Sequence, residues 1–127
     1  MIYEELSHRI IGCAMNVHNQ LGNGFQELIY QRALAIEFKS QQIAFVREKE
    51  IPIYYQEVEI GTRRVDFLIE GVFLLEIKAL IKLEDIHLAQ TINYCHAYKM
   101  PTALLINFGS TKLQFKRVFN LNKSYIK

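Results

Sequence analysis

Three ionisable residues stand inside two of the most apolar stretches of this 127-residue chain. Asp66 lies in Arg64-Val-Asp66-Phe-Leu-Ile, and Glu76 and Lys78 lie in Leu-Leu-Glu76-Ile-Lys78. Charged groups among Val, Phe, Leu and Ile carry a desolvation cost, so they call for a compensating role. Two carboxylates supply the hard oxygen ligands that Mg2+ or Mn2+ prefers. A cation held there can activate water and balance charge on a phosphate in transfer. A lysine two residues along adds positive charge beside the reacting oxygens. The set is chemically coherent for hydrolysis of a phosphodiester bond. A solvated sheet face is the plain alternative, and Asp-x9-Glu-x-Lys by itself does not separate the two.

Strand geometry sharpens the choice. Alternate side chains share a face, so Glu76 and Lys78 lie together, with Leu75 and Ile77 opposite. Asp66 faces away from Val65 and Phe67, which read as core. A two-residue turn at Glu70-Gly71 would pair Ile69 with Val72 and put Asp66 and Glu76 on different faces. A three-residue loop, Glu70-Gly71-Val72, sets Asp66 directly opposite Glu76. Gly71 can take the left-handed conformation that such a loop uses. Carboxylates so placed repel each other unless a cation intervenes. The metal reading therefore requires the three-residue loop or an equivalent bulge.

Other polar residues have two readings each. Gln90 and Tyr94 are four apart on a helix and His87 joins their face, while Leu88, Ile92 and Cys95 form an apolar one. The polar face either orients a substrate phosphate or the lysine, or is simply solvated. Glu27 and Tyr30 share a face near the start of another helix. Glu27 is either a further metal ligand or a carboxylate favoured by the helix N-terminus. His18 continues an apolar stripe and reads as a satisfied core histidine. No His or Cys cluster has zinc-site spacing, and no Gly-rich phosphate loop or nucleophile elbow is present.

These residues need elements to hold them. Residues 3–21 form a helix on the stripe Leu6, Ile10, Cys13, Val17 and Leu21, ended by Leu21-Gly-Asn-Gly24. A second helix spans 25–41, with Ile29, Ala33 and Ile36 as its expected buried face. The period then becomes two: short strands at 43–47, 51–55 and 57–60, a turn at Gly61-Thr62, and stronger strands at 63–69 and 72–79. Glu84-Asp85 start a third helix that runs to about Tyr98, and Met100-Pro101 end it. Strands at 102–108 and 112–119 follow. The order predicts an α/β or α+β domain, a sheet flanked by helices, with residues 1–127 as one unit.

Composition sets outer limits. Half the residues are hydrophobic, enough for a core without disulfide or metal staples. No run of eighteen apolar residues suggests a membrane span. Met1-Ile-Tyr-Glu-Glu5 is acidic and amphipathic, unlike a secretory leader. Cys13 and Cys95 each sit in an apolar helical pattern, as buried reduced thiols of a cytoplasmic protein do. A net charge of +2 neither demands nor excludes nucleic acid. The basic residues are scattered: Arg47, Lys49, Arg63, Arg64, Lys78, Lys82, Lys112, Lys116, Arg117 and Lys123.

Taken in order, several short segments resemble a known family. Gly24-Phe-Gln-Glu27-Leu-Ile-Tyr30 is similar to the signature of the GxxExxY proteins, a branch of the PD-(D/E)-x-K nuclease superfamily. The likeness spans about residues 3–120. It includes Val17-His18, Leu21-Gly22, Arg64-x-Asp66, Glu76-x-Lys78-Ala79 and His87-x-x-Gln90-x-x-x-Tyr94. It closes with Leu105-Ile-Asn107-Phe108-Gly109 and Lys116-Arg117. Val65 stands where the superfamily's name has proline. The resemblance implies a restriction-endonuclease-like core, a central mixed sheet with helices on both sides. It implies Asp66 and Glu76 as ligands of Mg2+ or Mn2+, with the Ile77 carbonyl beside them, and Lys78 as the catalytic lysine. Glu27 would be an extra acidic residue. Gln90 and Tyr94 resemble the Gln-x-x-x-Tyr element of exonuclease-like members such as the RecB nuclease domain. The implied partner is nucleic acid, DNA first, with a homodimer or a larger partner protein to help grip it. A module that keeps the fold but binds nucleic acid or protein without hydrolysis is the alternative.

Overall fold

The stripe expected on the first helix is buried. Ile10, Cys13, Ala14 and Val17 pack inward from α1, Glu4–Leu21, in a computed structural model that describes residues 3–120. Met1 and Ile2 of the acidic start, and Lys123, lie outside the described residues. Gly22 ends α1 with φ 70°, and its N–H donates to the His18 carbonyl.

The second helix, α2, spans Glu27–Ser40. Its buried face differs from the expected one. Tyr30, Gln31, Leu34, Ala35 and Phe38 face the sheet, whereas Ile29 and Ile36 are exposed. Tyr30, Leu34 and Phe38 recur at four-residue spacing and carry more apolar bulk than the Ile29, Ala33, Ile36 set.

The strands are β1, Phe45–Tyr55; β2, Val58–Ile69; β3, Phe73–Lys78; β4, Thr102–Asn107; and β5, Gln114–Phe119. They form one sheet in the order β1-β2-β3-β4-β5. Only β3 and β4 are parallel, joined across the sheet by α3, Asp85–Ala97. The three short segments expected between 43 and 60, and the turn expected at Gly61-Thr62, are replaced by one long hairpin. Its turn falls at Gln56 and Glu57, with φ 49° and 67°. Two left-handed residues match the twist of a tight hairpin, but Gln-Glu carries none of the Gly or Asn signals that announce one. Gly61 sits instead beside a register shift at Ile53/Tyr54. Pro52 is accommodated because β1 is an edge strand.

Two cores cover the two faces of the sheet. The larger joins α1 and α2 to Phe67, Ile69, Phe73, Leu75, Ile77, Leu104, Ile106 and Phe108. The smaller joins α3, through Cys95, Leu88 and Ile92, to Ile51, Val65, Leu74, Ala103 and Val118. Cys13 and Cys95 are free and buried on opposite faces. The result is an α+β fold, a five-stranded mixed sheet between helices, consistent with a restriction-endonuclease-like core. No helix among the described residues is long and apolar enough to cross a membrane.

Candidate active site

The β2–β3 connection decides where the acidic residues meet. Ile69 pairs with Phe73 and Phe67 with Leu75, so Glu70, Gly71 and Val72 form a three-residue loop. Glu70 and Gly71 have φ 54° and 71°. One step further, Asp66 stands opposite Glu76. There the carboxylates take over the ladder. The Asp66 N–H donates to Glu76 Oε1 at 3.2 Å, and the Ile77 N–H donates to Asp66 Oδ2 at 2.7 Å.

The chain also rotates at this rung. Val65 packs in the α3 core and Phe67 in the α1/α2 core, although residues two apart in a regular strand share a face. The expectation that both are core residues holds. That both lie on the face away from Asp66 does not. On β1, Glu48 lies between the pairs Arg47–Phe67 and Lys49–Val65, opposite Asp66, and has φ 53°.

Burial makes the acid pair unusual. Glu76 is 6% exposed and Asp66 is half-buried. Desolvation pushes the Asp66 carboxyl up to about 6, with Glu27 and Glu48 adding to the rise and the Ile77 N–H and Lys78 opposing it. Desolvation pushes Glu76 up to about 8, reinforced by Asp66 itself and by Glu27, with the Asp66 N–H and Lys78 opposing. Near neutral pH the pair therefore holds a proton. Both Asp66 oxygens accept hydrogen bonds, whereas Glu76 Oε1 accepts one from the Asp66 N–H. The proton belongs on Glu76.

The remaining expected residues take distinct places. Lys78 follows Glu76 on β3 and acts on both carboxyls through space. Its strand end is fixed from behind. The Lys78 carbonyl accepts the Phe108 N–H at 2.9 Å, and buried Asn107 grips the next loop through Leu80 N–H at 2.8 Å and the Leu80 carbonyl at 2.9 Å. Glu27 is exposed on the first turn of α2, near enough to raise both buried carboxyls. Tyr30 puts it there. The Tyr30 hydroxyl donates to the Gly22 carbonyl at 2.6 Å and accepts the Phe25 N–H at 3.1 Å, while its ring stacks on Phe108 at 4.7 Å. His18 is a satisfied core histidine, 3.0 Å from the Ser110 carbonyl through Nε2.

Gln90 and Tyr94 are half-buried on α3, over the sheet face of Leu74. No hydrogen bond among the described residues joins either to Asp66, Glu76 or Lys78. Tyr94 packs on the smaller core and lines a cavity of about 450 Å³ with Ile53, Ile60 and Arg63. His87 leaves their face for a helix cap: its Nδ1 accepts the Glu84 N–H at 3.0 Å.

The sequence reading missed two residues. Gln31 Nε2 donates to Asp66 Oδ1 at 3.3 Å, and Arg47 Nη2 donates to Gln31 Oε1 at 2.5 Å. The available signal was Gln31's place four residues after Glu27, on the same helix face.

Among the described residues, no three His, Cys, Asp or Glu side chains converge as a ready cation cage. The donor chemistry of Asp66 and Glu76 nevertheless fits a divalent cation. They are hard oxygen ligands, close together, with burial raising both above the usual carboxylate range.

The model of the PD-(D/E)XK nuclease superfamily matches residues 4–118. The chain belongs to the PD-(D/E)XK nuclease superfamily. Membership points to a nuclease-type domain. Among solved structures the chain is similar to SSO0001, with a TM-score of 0.58 and 14% identity, over 96% of this chain and 62% of that one. The chain thus spans less than two thirds of SSO0001, and a likeness at that identity concerns the fold alone. No curated protein matches the chain.

Proposed function

We propose that this PD-(D/E)XK domain is a Mg2+- or Mn2+-dependent nuclease of the GxxExxY type, with DNA as its first substrate. Asp66 and Glu76 are the carboxylates that hold the cation, with Glu27 as an outer acidic residue. The bound cation would supply Lewis acidity and charge neutralisation at the scissile phosphate. Lys78 sits one strand position beyond Ile77 and contributes positive charge toward the attacking water or the developing phosphate charge. The Asp66 N–H and Ile77 N–H keep the two carboxylates facing each other. Gln90 and Tyr94, on α3, support the substrate. The buried free thiols suit a cytoplasmic protein. A homodimer or a partner protein would extend the surface that one domain of this size offers to a nucleic acid.

The observation that carries this reading is the register. Two carboxyls whose burial raises both are brought face to face at the rung where the backbone ladder gives way to side chains. A purely structural rung would be served better by apolar residues.

One observation favours a second reading, a nucleic-acid- or protein-binding module without hydrolysis. The same two carboxylates satisfy the Asp66 and Ile77 N–H groups, a structural task complete without a cation. Calorimetric titration with Mg2+ and Mn2+, then cleavage of labelled single- and double-stranded DNA and RNA, separates the readings. The nuclease reading expects cation binding and cleavage, both lost in Asp66→Ala and in Glu76→Ala. Cleavage that persists in both variants removes the proposed site. Nucleic-acid binding that survives Asp66→Ala, with no products from any substrate, selects the binding module.

A further inference from the structure

We propose that Gln31 is a positioning residue for Asp66, with its amide orientation set by Arg47. This rests on the reading of Asp66 as a cation ligand, and it concerns what holds that ligand still.

The argument starts from donors and acceptors. A glutamine amide has one end that only donates and one that only accepts, and the two are told apart by their partners. Arginine can only donate. Arg47 Nη2 lies against one end of the Gln31 amide, so that end is the carbonyl oxygen. The other end is then the NH2 group, and it points at Asp66 Oδ1 at 3.3 Å. Turning the amide over would set its NH2 against the guanidinium and its oxygen against a carboxylate oxygen, two repulsions at once. Arg47 therefore compels Gln31 to present a donor to Asp66.

That donor completes a clamp. Asp66 Oδ2 accepts the Ile77 N–H at 2.7 Å, and Oδ1 accepts from Gln31. One oxygen is tied to β3 and the other to α2, so the carboxylate plane is fixed between two elements. Each oxygen keeps a further lone pair for a cation. Gln31 is 7% exposed and has no role in an apolar core, so its burial is explained by this contact. Arg47 Nη2 also lies 3.8 Å from Glu48 Oε1. Outer partners of this kind typically change metal affinity about 10- to 100-fold when removed.

The test uses the full chain as wild type, Gln31→Met, Arg47→Met and the double variant. Met matches Gln31 in volume but offers neither end of the amide. Mn2+ affinity is read by calorimetry. Gln31→Met is expected to weaken Mn2+ about tenfold. Arg47→Met is expected to weaken it by less, and the double variant by no more than Gln31→Met alone, since Arg47 acts only through Gln31. Unchanged affinity in Gln31→Met, or losses that add in the double variant, would overturn the proposal. A second measurement needs no metal. In wild type, one Gln31 side-chain N–H proton is expected downfield in a 15N–1H spectrum. It should move upfield in Asp66→Ala and part of the way in Arg47→Met. An unshifted wild-type proton overturns the positioning contact. A shifted proton in a chain that takes up no Mn2+ leaves the contact standing and overturns the cation site instead.

Discussion

Glu76→Gln should make the metal-free protein more stable, and more so as the pH rises. In the native fold this carboxyl is raised from 4.5 to about 8, chiefly because burial penalises its charged form. A group raised in the folded state binds more protons there than in the unfolded chain. Its contribution is therefore fully present below about pH 4.5 and is lost as the pH climbs toward 8. Each pH step across that interval removes roughly 1.4 kcal/mol, so by pH 7 the loss is on the order of 3 kcal/mol. Glutamine stays neutral and keeps an oxygen for the Asp66 N–H. Urea unfolding in a chelator at pH 5 and at pH 8 gives the comparison. At pH 5 the two proteins should differ by less than about 1 kcal/mol. At pH 8 the variant should lead by about 2–3 kcal/mol, since relaxation around a buried ion softens the full figure. Mg2+ should reverse the order at pH 8, because it stabilises only the chain that can present both carboxylates. Parallel pH dependences for the two proteins, or a wild type that gains relative to the variant between pH 5 and 8 without metal, would refute the assignment of the proton to Glu76.

Two further expectations concern the scaffold. Tyr30→Phe removes the hydroxyl that joins the Gly22 carbonyl to the Phe25 N–H, leaving partly buried groups unpaired at the entrance to α2. It should cost about 1–3 kcal/mol in urea unfolding, and no loss would detach Tyr30 from the placement of Glu27. Gly109→Ala would set a Cβ 2.3 Å from the backbone N and O of Leu80, against the loop that follows Lys78. It should destabilise by roughly 1–3 kcal/mol or more, and a thermal melt unchanged from wild type would show that this loop yields freely.

What the sequence made legible, and what it hid, divides along physical lines. Helices α1 and α3, the second half of β2 and strands β3 to β5 follow from periodicity and stop signals, because the helices bury one apolar stripe, β3 and β4 are apolar along both faces, and most of these elements end at residues that cannot continue them. The opposition of Asp66 and Glu76 followed from counting, since a period of two and a loop length leave little freedom. The hairpin turn was hidden because Gln56 and Glu57 adopt left-handed backbone without being the residues that favour it. The buried face of α2 was misread because apolar Ile29 and Ile36 are exposed while polar Gln31 is inside.

The departures from simple rules are not spread evenly. A buried glutamine, a strand that changes face between Val65 and Phe67, a left-handed Glu48 and two acids in place of ladder carbonyls all meet at Asp66. Local rules give way where a structure is built to hold something other than itself, and the stability lost there is recovered in surrounding packing. Here that packing is close at hand: Phe67 and Ile77, flanking the two acids, are essentially fully buried, as are Tyr30 and Leu34 on either side of Gln31. A solvated rung would have no need of this support. The concentration of irregularity at one rung, inside two well-packed cores, is an argument for chemistry at Asp66 and Glu76 that is independent of their charge.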